Sequence, residues 1–270
     1  MTRYLFDDMW SVGEQIARAQ AVLLCLEFDG ALAPPMDDDG LISLSPQMQR
    51  VLWSLAGQQK RKLAFFSHRS RFELQMRIAL PDVWYVGCHG LEISGPGHVS
   101  VHPAAAVYSR QLQPVASRIE DLLRPIPELI CEDRGLTLRV SFAGQPHSVI
   151  DPVIVQVREL ARRLAPTCRL TIEDSFLELR PSVSWNRASA IKLIQQQLAP
   201  KDVLCVYLGF DDEGTFLSLD DSITIRVDEC ERSAAQYFVT GPPDVRRFLE
   251  WVACLGREQH GLLVSGARAM

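Results

Sequence analysis

Two carboxylates one residue apart close an apolar run near the amino terminus, where residues 23–35 read LLCLEFDGALAPP. A continuous apolar run stopped by Gly and Pro reads as a strand buried on both faces. Side chains alternate along a strand, so Glu27 and Asp29 leave its end on the same side. A solvated strand edge would also carry such acids, but like charges brought to one core strand tip are the raw material of metal ligation and acid–base work. Two further runs end in polar or glycine-rich turns, Ser67-His68-Arg69 and Gly87-Cys88-His89-Gly90.

The elements that would position these residues alternate. Ser45-Pro46 supplies an N-cap and a first-turn proline, and Met48, Val51, Leu52 and Leu55 follow at helical spacing. A strand is expected over 63–66, a capping-box helix from Ser70 and Glu73 to about 78, and a third strand over 83–86. Strands alternating with helices indicate a parallel sheet covered on both faces, with ligands beyond the carboxyl ends of the strands. Between 104 and 183 the rhythm becomes helix, strand pair, helix, strand pair, with the second helix capped by Asp151-Pro152. That order suits a small antiparallel sheet inserted into the larger one. The first pattern then resumes with a helix over 187–198, strands over 203–208 and 223–227, and a last helix over 243–255 before a frayed tail.

Five landmarks in order resemble the trehalose-6-phosphate phosphatases, a branch of the haloacid dehalogenase-like phosphohydrolases. They are Glu27-Phe28-Asp29-Gly30-Ala31-Leu32-Ala33-Pro34, Ser67-His68-Arg69, Gly87-Cys88-His89-Gly90-Leu91-Glu92, Glu132-Asp133-Arg134-Gly135 and Glu178-Leu179-Arg180-Pro181. The third is the most distinctive of that branch. The resemblance implies an α/β fold: a Rossmannoid core with a parallel sheet over 1–103 and 184–270, and an inserted α+β cap over 104–183. It implies Mg²⁺-dependent hydrolysis of trehalose 6-phosphate through an aspartyl phosphate. Glu27 would stand at the nucleophile, Asp29 would be general acid and base, and Ser67 and Arg187 would hold the transferred oxygens. Mg²⁺ would be held by Glu27, Asp29, Asp211 and Asp212, and the sugar phosphate by His89, Glu132, Arg134 and Glu178. A trehalose-phosphate synthase is the partner the resemblance suggests.

The departures from the family pattern fall on the reacting positions. Glu27 is one methylene longer than the family's Asp, a reach of about 1.5 Å, and misplacing a reacting group by about 1 Å can cost a hundredfold. Arg187-Ala188 replaces Lys-Gly, exchanging a point charge for a planar fork. Gly209-Phe210-Asp211-Asp212-Glu213 puts Phe210 or a shortened spacer where a metal ligand is expected. Ser141-Phe142-Ala143 stands where relatives carry His-Tyr-Arg, and His68 replaces a glycine. The reading is a degenerate relative that keeps the fold and a sugar-phosphate pocket; the alternative is an active phosphatase on trehalose 6-phosphate or another sugar phosphate. The acids of Asp37-Asp38-Asp39-Gly40 read as a solvated turn, and Trp185 as core.

The bulk numbers narrow the classes. A net charge of −5 over 270 residues, without a basic stripe, argues against nucleic acid. No run approaches the roughly 18 apolar residues of a membrane helix, and the amino terminus lacks a secretory pattern. Seven scattered cysteines without a CxxC pair fit reduced core thiols and a cytoplasmic setting.

Overall fold

The computed structural model describes residues 2–33, 43–200, 202–210, 212–230 and 232–266; the Asp37-Asp38-Asp39-Gly40 turn lies outside them. The apolar run forms β2 (Ala21–Glu27), seven residues all buried, after β1 (Arg3–Tyr4) and α1 (Met9–Arg18). Next come α2 (Pro46–Ala56), β3 (Arg61–Phe66), α3 (Arg71–Ile78), β4 (Trp84–Gly87) and the hairpin of β5 (Glu92–Gly95) and β6 (His98–Val101). After a second sheet the chain returns through α6 (Arg187–Gln197), β11 (Val203–Gly209), α7 (Glu213–Ser218), β12 (Ile223–Val227), β13 (Tyr237–Val239) and α8 (Pro242–Gly266). The nine-stranded sheet runs β1-β13-β12-β11-β2-β3-β4-β5-β6, parallel up to β4 and antiparallel across the hairpin. The mixed α/β class with a mostly parallel sheet is as expected.

Alternation along β2 decides which acid meets which helix. Leu24 and Leu26 pack with Val12 of α1, Leu52 of α2 and Phe248 of α8. Leu23 and Cys25 pack on the opposite face with Ile191 and Ile194 of α6 and Phe216 of α7. Glu27 continues the second set, so its carboxylate faces the start of α6. On β11, paired with β2, Cys205 and Tyr207 share that face. The chain order reverses at β2, with β3 on one side and β11 on the other, which is where an open α/β sheet leaves a crevice beyond its strand tips.

The second sheet, β7-β8-β10-β9, is antiparallel throughout: β7 (Ile130–Asp133), β8 (Leu138–Ser141), β9 (Cys168–Ile172) and β10 (Phe176–Pro181). Leu138, Val140, Leu177 and Leu179 bury one face against α4 (Ala105–Leu123) and α5 (His147–Leu164). The other face carries a polar row in register, Glu132 on β7 opposite Arg139 on β8, which is opposite Glu178 on β10.

Local chemistry explains most element ends. Ser45 Oγ accepts from the Met48 amide at 3.2 Å with Pro46 behind it, and Ser70 Oγ accepts from Glu73 at 3.2 Å. The reciprocal half of that capping box is absent because Glu73 turns to Arg69 and Arg77. Asp151-Pro152 does not cap α5: the helix begins four residues earlier, at His147, with Pro152 inside it. The apolar stripe of Ile150, Val153 and Val157 buries the first turns and outweighs the proline's lost amide. α8 continues past the expected end at 255 to Gly266, since a glycine within a helix costs only about 1 kcal/mol. All seven cysteines are free, and among the described residues no helix is long and apolar enough to cross a membrane.

Gly87 is demanded by crowding. A Cβ there would lie 2.2 Å from the Arg71 backbone nitrogen. Gly87→Ala should therefore destabilise the chain by about 1–3 kcal/mol, read as a lower urea midpoint. Gly97→Ala is the contrast: its φ of +70 strains a side chain, but nothing lies within 4 Å, so it should lose less.

Candidate active site

The tips of β2, β3, β4 and β11 bring three groups of side chains together. The first is built on Glu27. Its Oε1 meets Arg187 Nη2 at 2.8 Å and its Oε2 accepts from the Phe210 amide at 2.7 Å. Arg187 Nη1 reaches Asp212 Oδ2 at 3.0 Å. Asp212 also caps α7, accepting from the Thr215 amide at 3.1 Å and its hydroxyl at 2.6 Å, and takes the buried Tyr207 hydroxyl at 3.2 Å. Glu213, its neighbour, turns away to Arg226, Ser233 and the Ala234 amide. Asp211 lies outside the described residues.

Electrostatics follow from this geometry. Burial pushes the Glu27 carboxyl up, with Asp212 and Asp29 adding to it, against the pull of Arg187 and the Phe210 N–H. Burial works against charge on Asp212 too, but Arg187 and Thr215 outweigh it and hold that carboxyl below the ordinary range. Arg187 is raised in turn, its burial more than offset by Glu27, Tyr207 and Asp212. One guanidinium thus opposes the effect of burial at both carboxylates, prevailing at Asp212 but not at Glu27.

The second group surrounds Asp29. Ser67 Oγ donates to Asp29 Oδ2 at 2.8 Å and accepts from the Arg69 amide at 3.0 Å. Arg69 Nε donates to Asp29 Oδ1 at 3.1 Å, and His68 Nδ1 lies 3.4 Å from Oδ2. The third group joins the two sheets. His89 Nε2 lies 2.8 Å from Glu178 Oε2, and Arg134, paired with Glu132, donates to the His68 carbonyl at 3.3 Å. The turn that carries His89 is held by its amide to Ser67 O and by Cys88 N to Arg69 O; Glu92 caps the Arg71 amide at 2.8 Å. Trp185 packs beside Cys88, Leu91, Ala105 and Leu136 and donates to Gly90 O at 2.7 Å, as a structural residue would.

All the expected site residues within the described chain thus gather at one end of the large sheet, under the polar face of the small one. Sequence reasoning left out Arg69, Tyr207, Thr215 and Arg139. Arg69 stands in a quoted motif and Arg139 has the strand parity of the polar row, so both were readable; Tyr207 and Thr215 looked like core and helix. Buried polar atoms without a partner cluster here as well: His68 Nε2, Arg69 Nη2, Arg139 Nε and Ser141 Oγ. Such atoms call for a ligand or water.

The acid stability of this junction can be stated with its sign. Burial, helped by Arg134 and Arg139, holds the His68 imidazole well below its ordinary pKa of 6.5, and burial lowers His89 despite Glu178. Glu178 falls from 4.5 to about 2: burial opposes this, but His89, Arg134 and Arg180 prevail. For each group the folded chain binds fewer protons than the unfolded one, so stability is present above the unfolded pKa and lost as pH falls. The melting temperature should drop from about pH 7 to about pH 5 through the imidazoles, then further below about pH 4.5 through Glu178, whose share is on the order of 3 kcal/mol. A flat profile from neutral pH to pH 4 would contradict these assignments.

Mg²⁺ demands octahedral oxygen ligands at about 2.1 Å. Among the described residues no group of three or more His, Cys, Asp or Glu is arranged to hold a metal. Glu27 and Asp212 share a guanidinium, Asp29 is taken by Arg69 and Ser67, and the Phe210 ring packs on Gly30. The described side chains do not fit the ion.

Residues 25–243 match the family model for trehalose-phosphatase. The chain belongs to the trehalose-phosphatase family. Curated relatives include Trehalose 6-phosphate phosphatase RA3 of Zea mays, 27% identical over 259 residues, covering 88% of this chain and 71% of that protein. A trehalose-phosphate phosphatase of Mycobacterium tuberculosis is 28% identical over 253 residues, covering 90% of this chain but only 63% of its own length. The C-terminal domain of a Candida albicans trehalose-6-phosphate phosphatase superposes with a TM-score of 0.78 at 18% identity, covering 94% of this chain and 99% of that one. That likeness shows a shared fold, the mixed α/β class expected from the landmarks.

Proposed function

We propose that the chain recognises a sugar phosphate such as trehalose 6-phosphate between the strand tips and the small sheet, and hydrolyses it far more slowly than its family does. In this reading residues 1–103 and 184–270 form the core and 104–183 the cap. The carrying observation is the state of Glu27: one oxygen is held by Arg187 and the other by the Phe210 amide. A carboxylate tied at both oxygens, on a side chain one methylene too long, is poorly placed for in-line attack on phosphorus. Recognition is supported by the family match and by the unpartnered donors on His68, Arg69, Arg139 and Ser141 beside Glu132, Arg134, His89 and Glu178.

Phosphate release and thermal shift with trehalose 6-phosphate test the two halves separately. The ligand should raise the melting temperature while free phosphate stays near background. No shift at millimolar ligand sinks recognition. Release that Asp29→Asn abolishes sinks impairment and favours the active phosphatase, a reading to which the intact Asp29–Ser67–Arg69 contacts lend weight.

A further inference from the structure

The strand tips gather acids that a divalent cation would ordinarily neutralise, yet a positive charge already stands between them. Arg187 opens α6, where the helix dipole disfavours a cation. Its two terminal nitrogens nonetheless lie 2.8 Å from Glu27 Oε1 and 3.0 Å from Asp212 Oδ2. One planar group thereby ties the end of β2 to the cap of α7, two segments that a shared metal ion would cross-link. The other oxygens are taken as well: Glu27 Oε2 by the Phe210 amide, Asp212 Oδ1 by the Thr215 amide, and Asp212 Oδ2 by Thr215 and Tyr207 hydroxyls as well as by Arg187. Beside them, a Cβ built on Gly30 would fall 2.6 Å from the Phe210 ring, so carbon rather than an oxygen ligand stands on that side of the acids. Side chains at both ends of the bridge are mostly shielded from solvent, Glu27 6% and Asp212 16% exposed, which keeps the pairing strong.

We propose that Arg187 is a resident cation in the place of the divalent metal, so that this chain folds and binds its ligand without Mg²⁺. An arginine suits the task because its fork spans two carboxylates, which a lysine ammonium cannot do in the same plane. The ligand clause rests on the sugar-phosphate reading above; the metal clause does not.

Mn²⁺ is the probe, followed by the electron paramagnetic resonance of the free ion in titrations of the full chain. The wild type should show no saturable site up to about 1 mM, and its melting temperature should be the same in Mg²⁺ and in EDTA. Arg187→Ala should gain a site of submillimolar affinity and recover melting temperature when Mn²⁺ is added. Arg187→Lys keeps a charge, and so a folded chain, and should gain a weaker site. Saturable binding by the wild type overturns the proposal. So does a folded Arg187→Ala or Arg187→Lys that gains nothing, because the acids would then not be a metal's ligands held by arginine. A thermal shift with trehalose 6-phosphate that is equal in EDTA and Mg²⁺ supports the ligand clause, and one that needs Mg²⁺ overturns it. Phosphate release by the wild type bears only on impairment.

Discussion

Converting three positions together, Glu27→Asp, Phe210→Asp and Arg187→Lys, should raise phosphate release from trehalose 6-phosphate in Mg²⁺ buffer by at least about a hundredfold over the wild type. Glu27→Asp alone should give much less. Shortening the carboxylate corrects its reach, but Arg187 still spans to Asp212 and the Phe210 ring still covers Gly30. Phe210→Asp alone replaces the ring by an oxygen ligand yet leaves Glu27 bound to the guanidinium. The changes are coupled through shared contacts, so their effects should exceed the sum of the single variants. Single-turnover release reads the gain without interference from product dissociation. A triple variant that is folded and no faster than the wild type would show that the impairment lies elsewhere, the cap being the next place to look.

Arg187→Ala should destabilise the fold by about 3–5 kcal/mol, measured as a fall in the urea midpoint at unchanged slope. The arginine is the counter-charge shared by the buried Glu27 and the half-buried Asp212, and its removal leaves the two acids facing one another. Adding Glu27→Gln to Arg187→Ala should recover part of the loss, because one of the stranded charges is then gone. Arg162→Ala is the control: that guanidinium pairs with Glu159 on the exposed side of α5 and should barely move the midpoint. Equal losses at 162 and 187 would remove the case for a buried bridge.

Much of this architecture was readable from residue order. The run ending at Glu27 announced a strand buried on both faces, and period-two alternation put both acids on one side. The pairing of β8 with β10, which sets Arg139 opposite Glu178, was not read from the sequence because it depends on the strand register. Elements of two to four residues escaped notice: β1, β13 and the β5–β6 hairpin are too short for periodicity to mark and exist because neighbours pair with them. The start of α5 was misread because Asp-Pro is a favoured helix opening, whereas here burial of Ile150 and Val153 carries the helix across the proline.

The site divides in the same way. Glu27, Phe210 and Arg187 could be named as departures from their types alone. That they touch could not be read from spacing, since the contact of Arg187 with both acids depends on how the start of α6 packs against the tips of β2 and β11. Asp212, expected among the metal ligands, caps α7 and pairs with a guanidinium, contacts that its type did not announce. His89, expected among the sugar-phosphate contacts, joins the two sheets through Glu178.

The central claim is that a guanidinium, not a metal, neutralises Glu27 and Asp212, and a crystal structure of the wild type grown in excess Mg²⁺ with inorganic phosphate tests it most directly. Arg187 should be found bridging the two carboxylates, with no octahedral ion on Glu27. An ion ligated by Glu27, with Arg187 swung away from it, would contradict the account.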